Sequence, residues 1–96
     1  MLLEELHHKK QIIESLAAAH GASRIRVFGS VARGEEGPGS DIDFLVDFPK
    51  GYDLFSQRLS LAKKLQELTG RNIDLIPAHE LNRHLRDVIL QEATDL

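Results

Sequence analysis

The sequence of 96 residues contains no cysteine, and aromatic side chains make up only 5% of it. Without cysteine the chain can have no disulfide scaffold, no zinc site built on thiolates and no thiol catalysis. The scarcity of aromatic residues leaves the core to leucine, isoleucine, valine and alanine. No apolar run approaches the roughly 18 residues of a transmembrane helix. These absences favour an ordinary globular domain with no membrane association.

The chain also lacks a large excess of either positive or negative charge. The chain has 12 basic and 15 acidic residues, for a net charge of −3. A dedicated nucleic-acid binder usually shows a basic face, so we expect no direct nucleic-acid binding. The N-terminal residues lack the basic-then-apolar order of a signal peptide, which makes a cytoplasmic location the expectation. The length predicts one domain spanning residues 1–96.

Apolar residues recur at helical spacing in three stretches, and three shorter stretches alternate or are continuously apolar. Strand, helix and strand follow one another from residue 42 to 76, which predicts two parallel strands. The short connection before residue 42 favours antiparallel pairing of the first two strands. The predicted fold is therefore α/β (α+β), a small mixed sheet of about three to four strands flanked by helices. The predicted helices are 2–20, 53–70 and about 79–92, and the predicted strands are 24–28, 42–48 and 72–76.

The first candidate site is Gly29-Ser30, at the exit of the first strand. Glycine allows a tight turn, and Ser30 could cap a short helix over residues 31–34. The free N–H groups at a helix start suit a phosphate, although many Gly-Ser turns only connect two elements. Residues 34–40, with three glycines and a proline, predict a mobile loop that could close over a nucleotide.

The second candidate is the pair Asp41 and Asp43, at the start of the second strand. Side chains two apart on a strand point to the same face, and two neighbouring carboxylates repel each other unless a cation lies between them. Mg²⁺ prefers oxygen ligands and bridges substrate phosphates. The alternative is a solvated strand end in which Asp41 caps a turn.

The third candidate is Asp74, a carboxylate inside an apolar strand, where it needs a partner unless it points outward from a sheet edge. If the second and third strands are parallel neighbours, Asp74 lies beside Asp41 and Asp43. Three such carboxylates facing a phosphate-binding turn would form a two-metal phosphoryl-transfer site. Asp47 lies further along the same strand face, so Asp74 is the preferred third ligand.

Together these residues have the spacing G-S-x10-D-x-D, which resembles the signature of the DNA polymerase β-like nucleotidyltransferase superfamily. The stretch VFGSVARGEEGPGSDIDFLVDF is similar to its smallest branch, the MNT (minimal nucleotidyltransferase) domains, which are paired with HEPN proteins. The leading helix, the ELTGRNIDLI run and the LRDVILQEA ending extend the resemblance over nearly the whole chain.

This resemblance implies a nucleotidyltransferase fold and a role for each motif residue. Gly29 and Ser30 would hold the triphosphate of ATP. Asp41 and Asp43 would bind two Mg²⁺ ions. Asp74 would bind the catalytic ion and help to deprotonate the attacking hydroxyl.

Arg33 lies in the same stretch, where it could bind phosphate oxygens through two hydrogen bonds or pair with Glu35 or Glu36. The implied activity is Mg²⁺-dependent transfer of AMP from ATP to a tyrosine hydroxyl of a HEPN ribonuclease toxin, which would make the chain an antitoxin. Two alternatives stay open: an antitoxin that neutralises the HEPN partner by contact alone, and a transferase acting on a small molecule or an RNA end. A homodimer or a hetero-oligomer is compatible with the apolar helix faces.

Overall fold

The computed structural model describes residues 1–96, and its four strands form one mixed sheet in the order β3-β2-β1-β4. Strand β2 runs parallel to β3 and antiparallel to β1, and β4 pairs antiparallel with β1. The predicted mixed α/β class and both predicted strand pairings are confirmed. The strands are β1 (Ile25–Phe28), β2 (Ile42–Val46), β3 (Ile73–Pro77) and β4 (Thr94–Asp95).

Five α-helices, one π-helical turn and one 3₁₀ turn flank the sheet. None of these helices is long and apolar enough to cross a membrane. The helices are α1 (Leu2–His8), α2 (Lys10–Ala19), α3 (Gly29–Arg33), α4 (Ser60–Thr69) and α5 (Arg86–Glu92); the π-helical turn is Leu54–Leu59 and the 3₁₀ turn is Ala78–Glu80.

One face of the sheet forms the hydrophobic core. In β2, Ile42, Phe44 and Val46 alternate with residues of the other face and are fully buried. They share one cluster of 16 buried residues with Leu61 and Leu65 of α4. Because side chains alternate along a strand, Asp43 lies on the face opposite this core.

The predicted leading helix, residues 2–20, is broken in two at Lys9. This residue leaves the helical conformation at φ −101° and ψ 13°, and its Nζ donates to the carbonyl oxygen of Leu68 at 3.4 Å. The break allows α1 to contact α3 while α2 packs against α4. Leu6 of α1 and Ile13 of α2 are both buried in the core.

The helix that follows β2 begins and ends where the sequence predicts. The carboxylate of Asp53 accepts a hydrogen bond from the Ser56 N–H at 2.7 Å, which caps the helix start. Gly70 ends the helix in the left-handed conformation at φ 72°. The first six residues, Leu54–Leu59, form a π-helical turn instead of an α-helix.

The last helix is half as long as predicted. After Ala78–Glu80 the chain leaves helical conformation at Leu81, and α5 begins only at Arg86. In between, the Asn82 side chain accepts a hydrogen bond from the N–H of His84 at 2.9 Å. An asparagine that bonds to the local backbone in this way competes with helix formation.

The apolar face predicted for that helix is only partly buried. Leu81 and Leu85 precede α5, so they do not lie on its surface. Leu85 is 54% exposed and Val88 is 63% exposed, while Ile89 is half-buried. The segment therefore adds little to the core.

Strand β4 has no counterpart among the individually predicted strands, although a sheet of three to four strands was expected. It consists of Thr94–Asp95, paired with β1. The Arg24 guanidinium donates to both carboxylate oxygens of Asp95, at 2.8 and 3.1 Å, and Leu96 is buried. Two residues are too few to show a strand period, so only tertiary pairing reveals this strand.

Candidate active site

The strand register brings two of the three candidate carboxylates side by side. Asp43 in β2 is the register partner of Asp74 in β3 on one side and of Phe28 in β1 on the other. Asp41 precedes β2 by one residue and is exposed. Since it lies two residues before Asp43, its side chain belongs to the same face. The three acidic residues thus line one end of the sheet, on the face opposite the core.

The carboxylates do not yet converge on a single point. No three aspartate, glutamate, histidine or cysteine side chains in the chain are close enough together to hold a metal ion as they stand. The donor set nevertheless suits a hard divalent cation, since carboxylate oxygens are its preferred ligands. Side-chain rotation of Asp41 and Asp74, both exposed, is the change that such a site requires.

The electrostatics of Asp43 show what a cation would relieve. The pKa of Asp43 is raised, first because partial burial disfavours the charged carboxylate, and then because Asp74, Asp41 and Glu92 repel it. Arg33 acts in the opposite direction. A carboxylate whose ionisation is opposed by its surroundings gains the most from a positive ion beside it.

The glycine of the signature is in direct contact with this carboxylate. Gly29 begins α3 with φ +74°, and a β-carbon built on it would lie 2.1 Å from Oδ2 of Asp43. Any other residue would therefore push Asp43 away, besides adopting a left-handed conformation that only glycine takes at little cost. The turn at Gly29 and the carboxylate of Asp43, 14 positions apart in the sequence, form one packed unit.

The predicted capping role of Ser30 is wrong. Helix α3 begins at Gly29, two residues earlier than predicted, and no side chain caps it. The Ser30 hydroxyl makes no hydrogen bond within the chain, while its carbonyl oxygen accepts from the N–H of Glu35 at 2.8 Å. The hydroxyl beside Gly29 is therefore available for a ligand.

Arg33 pairs with two carboxylates. Its Nε donates to Glu35 at 3.3 Å, and Nη1 donates to Glu92. Of the two ion pairs considered from the sequence, the one with Glu35 forms and the one with Glu36 does not. These hydrogen bonds, the one with Glu92 first, raise the pKa of Arg33, which stays charged in any case.

Glu92 is a residue of this site that the sequence reasoning missed. It lies at the end of α5, and its carboxylate accepts a hydrogen bond from the backbone N–H of Gly29 at 2.9 Å as well as from Arg33. Within the LRDVILQEA ending, no local pattern distinguishes this glutamate from an ordinary polar residue of a helix. Its position beside Gly29 depends on the path of the whole C-terminal segment, which no local pattern reveals.

Arg71 is the second residue that sequence reasoning did not identify. Its Nη1 donates to the carbonyl oxygens of Gly37 and Ser40, both at 3.3 Å. The Ser40 hydroxyl in turn accepts from the N–H of Gly37 at 2.8 Å. These bonds hold the end of the glycine-rich loop, directly before Asp41.

Comparison with known proteins identifies the family. The family model of the nucleotidyltransferase domain matches residues 9–96. The chain belongs to the nucleotidyltransferase domain family. A relative from Methanocaldococcus jannaschii is 39% identical over 88 residues, covering 92% of each chain. The protein adenylyltransferase MntA of Thermococcus cleftensis is 34% identical over 97 residues, covering 96% of this chain and 93% of its own length.

Solved structures agree with this assignment. A minimal nucleotidyltransferase superposes with a TM-score of 0.86 at 42% identity, covering 98% of this chain and 95% of the other. A toxin–antitoxin MntA-HpeT complex superposes with a TM-score of 0.72 at 25% identity, covering 90% of this chain and 69% of the other. The chain is therefore a nucleotidyltransferase enzyme.

Proposed function

We propose that this nucleotidyltransferase moves AMP from ATP, with Mg²⁺, to a hydroxyl group of a toxin protein. The acceptor would be a tyrosine of a HEPN ribonuclease, and the transfer would silence it. The observation that carries the proposal is the contact between Gly29 and Asp43, with Asp74 as the next residue in the register. That arrangement joins the proposed phosphate-binding turn to a row of carboxylates.

Each signature residue has a role that its position supports. The Ser30 hydroxyl and the N–H groups of the Gly29 turn would bind the triphosphate of ATP. Asp41 and Asp43 would hold two Mg²⁺ ions. Asp74 would be a further ligand of the catalytic ion. Bound Mg²⁺ would polarise the phosphate oxygens and neutralise charge on the leaving group. These residues lie on one continuous domain, which we take to span residues 1–96.

The transfer exchanges one phosphorus–oxygen bond for another. The acceptor oxygen bonds to the α-phosphorus, the bond to the oxygen that leads to the β-phosphorus breaks, and pyrophosphate leaves. Asp74 would accept the proton of the acceptor hydroxyl, because it is exposed and lies on β3, the edge strand of the sheet. Arg33 carries a charge that could bind phosphate oxygens once its carboxylate partners release it.

The relatives support the choice of acceptor. One is named a protein adenylyltransferase, MntA, and a structural neighbour is a toxin–antitoxin complex of MntA, crystallised as a tyrosine-to-alanine variant. By analogy, the partner of this chain would be a toxin with an accessible tyrosine. The two proteins would form a hetero-oligomer in which the partner hydroxyl reaches the carboxylate row.

The test mixes the purified chain with its cognate toxin, ATP and Mg²⁺ and measures the intact mass of the toxin. We expect increases in steps of one AMP, located to a tyrosine by peptide mapping. In the variant Asp43→Asn the transfer should fall at least about a hundredfold, since both metal ions lose a ligand. This variant should fold at least as well as the original, because it removes a charge that Asp74 and Asp41 repel.

The matched control is Asp47→Asn, which makes the same change at the residue directly after β2, where the carboxylate pairs with Arg26 at 3.3 Å. It should retain transfer. Transfer by Asp43→Asn at the control rate would refute the carboxylate mechanism. ATP-dependent modification of a small molecule or an RNA end, without modification of the toxin, would favour that other class of acceptor.

One observation favours the alternative of neutralisation by contact alone. The chain exposes apolar side chains of the kind that a partner covers, including Phe55, which is 74% exposed, and Val88. If this surface sufficed, Asp43→Asn would protect cells from the toxin as well as the original chain does. Loss of protection together with loss of transfer would favour the enzyme.

A further inference from the structure

Glu92 competes for the donors that the proposed function assigns to phosphate. Its Oε2 accepts from the N–H of Gly29 at 2.9 Å, and its Oε1 accepts from Nη1 of Arg33. A carboxylate with two oxygens, held by one backbone amide and one guanidinium, has the hydrogen-bond pattern of a phosphate at the same place. The side chain is only 19% exposed, so the contact is part of the folded structure.

We propose that Glu92 occupies the nucleotide site while ATP is absent, by bonding to Gly29 and Arg33, and yields both of them to the triphosphate when ATP binds. This inference rests on the proposed function, because it assumes that phosphate takes the same donors. Gly29 has a single N–H and cannot serve the carboxylate and a phosphate at full strength together. Nucleotide binding must therefore displace the Glu92 side chain.

The position of Glu92 in the fold makes such a displacement feasible. It is the last residue of α5, a helix of seven residues with no fully buried residue. Segments with few buried contacts open at lower cost than the core does. The side chain can rotate away from Gly29 without disturbing the β2–β3 register.

The competition has a measurable consequence. A ligand that must first displace an internal group binds more weakly by the fraction of time for which its site is free. Removing the charge of Glu92 should thus tighten nucleotide binding. A residue that only stabilises the fold would do the opposite, since its loss would loosen the turn that binds the nucleotide.

The experiment measures binding of the non-hydrolysable analogue AMP-PNP with Mg²⁺ by calorimetry, in the full chain without any partner. We expect Glu92→Gln to bind about five- to tenfold more tightly than the original, the effect of losing one charge-assisted hydrogen-bond pair near the surface. Glu92→Asp, which keeps the charge, should stay nearer to the original.

The matched control is Glu35→Gln, because Glu35 also pairs with Arg33 but does not touch Gly29. Its affinity for the analogue should change less than twofold. Thermal melting with and without the analogue provides a second measure, in which Glu92→Gln should gain more stability from the ligand than the original chain gains. This readout also shows whether the variant is folded.

Equal or weaker binding by folded Glu92→Gln, when the original chain binds the analogue, would overturn this inference and leave the proposed function intact. Equal gains in Glu92→Gln and Glu35→Gln would also overturn it, since general charge around Arg33 would then be the cause. If the original chain does not bind AMP-PNP at all, the proposed function fails, and the inference fails with it.

Discussion

The unit β2–α4–β3 and the C-terminal segment, residues 78–96, serve the same site in different ways. Helix α4 buries Leu61 and Leu65 completely, whereas α5 buries none of its residues fully. The first unit presents Asp43 and Asp74 on strands backed by the core. The second reaches the same place through Glu92 alone. Buried packing holds the carboxylates in register, whereas few buried contacts hold α5, the helix that carries the residue in contact with Gly29.

The largest effect that separates the two regions is expected in their stability. Leu65→Ala empties a fully buried position and should lower the free energy of unfolding by about 2–5 kcal/mol. Val88→Ala, at a position 63% exposed, should change it by less than about 0.5 kcal/mol. Urea unfolding followed by circular dichroism measures both. Similar losses in the two variants would mean that α5 contributes to the core after all.

Two glycines allow a direct comparison between a position in the candidate site and a position that only ends a helix. Gly29 and Gly70 have nearly the same φ, +74° and +72°, but an added β-carbon meets Asp43 at 2.1 Å in the first and nothing within 4 Å in the second. Both alanine variants lose about 1–2 kcal/mol from the left-handed conformation. Gly29→Ala should lose roughly 1–3 kcal/mol more from the steric clash.

The two glycine variants should also differ in activity. Gly29→Ala displaces Asp43 and should reduce nucleotidyl transfer by at least about tenfold, since misplacing a reacting group by 1 Å is costly. Gly70→Ala should transfer at nearly the original rate. Thermal melts and the intact-mass assay on the same samples check both statements. An active Gly29→Ala would show that the close contact with Asp43 has no part in the reaction.

The smallest effect concerns the attachment of β4. The hydrogen bond from Arg24 lowers the pKa of Asp95, so the pair stabilises the fold above the unfolded-state pKa of about 3.9. This contribution is lost as the pH falls through the lower, folded-state pKa. Both side chains are at least half exposed, so solvent screening keeps the contribution small.

The variant Asp95→Asn measures that contribution. At pH 7 it should unfold at a slightly lower urea concentration than the original, and near pH 2 the difference should vanish. Added salt should shrink it as well, since exposed pairs are screened. A difference that persists in acid would point to strand pairing rather than charge as the role of Asp95.

The parts of the fold that local patterns predicted are those that the core supports. The strand pairings around β2, the Asp53 cap and the Gly70 stop are all confirmed. Periodicity predicted these elements because each presents an apolar face to the same interior. The wrong predictions concern two other places. One is the C-terminal segment, where burial is incomplete, and the other is Lys9, where a continuous apolar pattern gives no sign of the break between α1 and α2.

The residues of the candidate site also differ in whether local patterns predicted them. The sequence placed Asp43 beside Asp74 through the rule that a strand–helix–strand unit is parallel, and the structure confirms the register. It gave Ser30 a capping role that the structure does not support. It offered no reason to choose Glu92 or Arg71, since their contacts join residues 63 and at least 31 positions apart.

By itself the sequence determined the signature spacing, the apolar faces of the central unit and hence the mixed sheet. These features depend on short-range periodicity and on the stiffness of the chain between neighbouring elements. Only the tertiary structure decided that Gly29 lies against Asp43 and that α5 directs Glu92 to the same turn. Such contacts depend on the path of the whole chain, because a hydrogen bond between distant residues forms only after the core has positioned both of its partners.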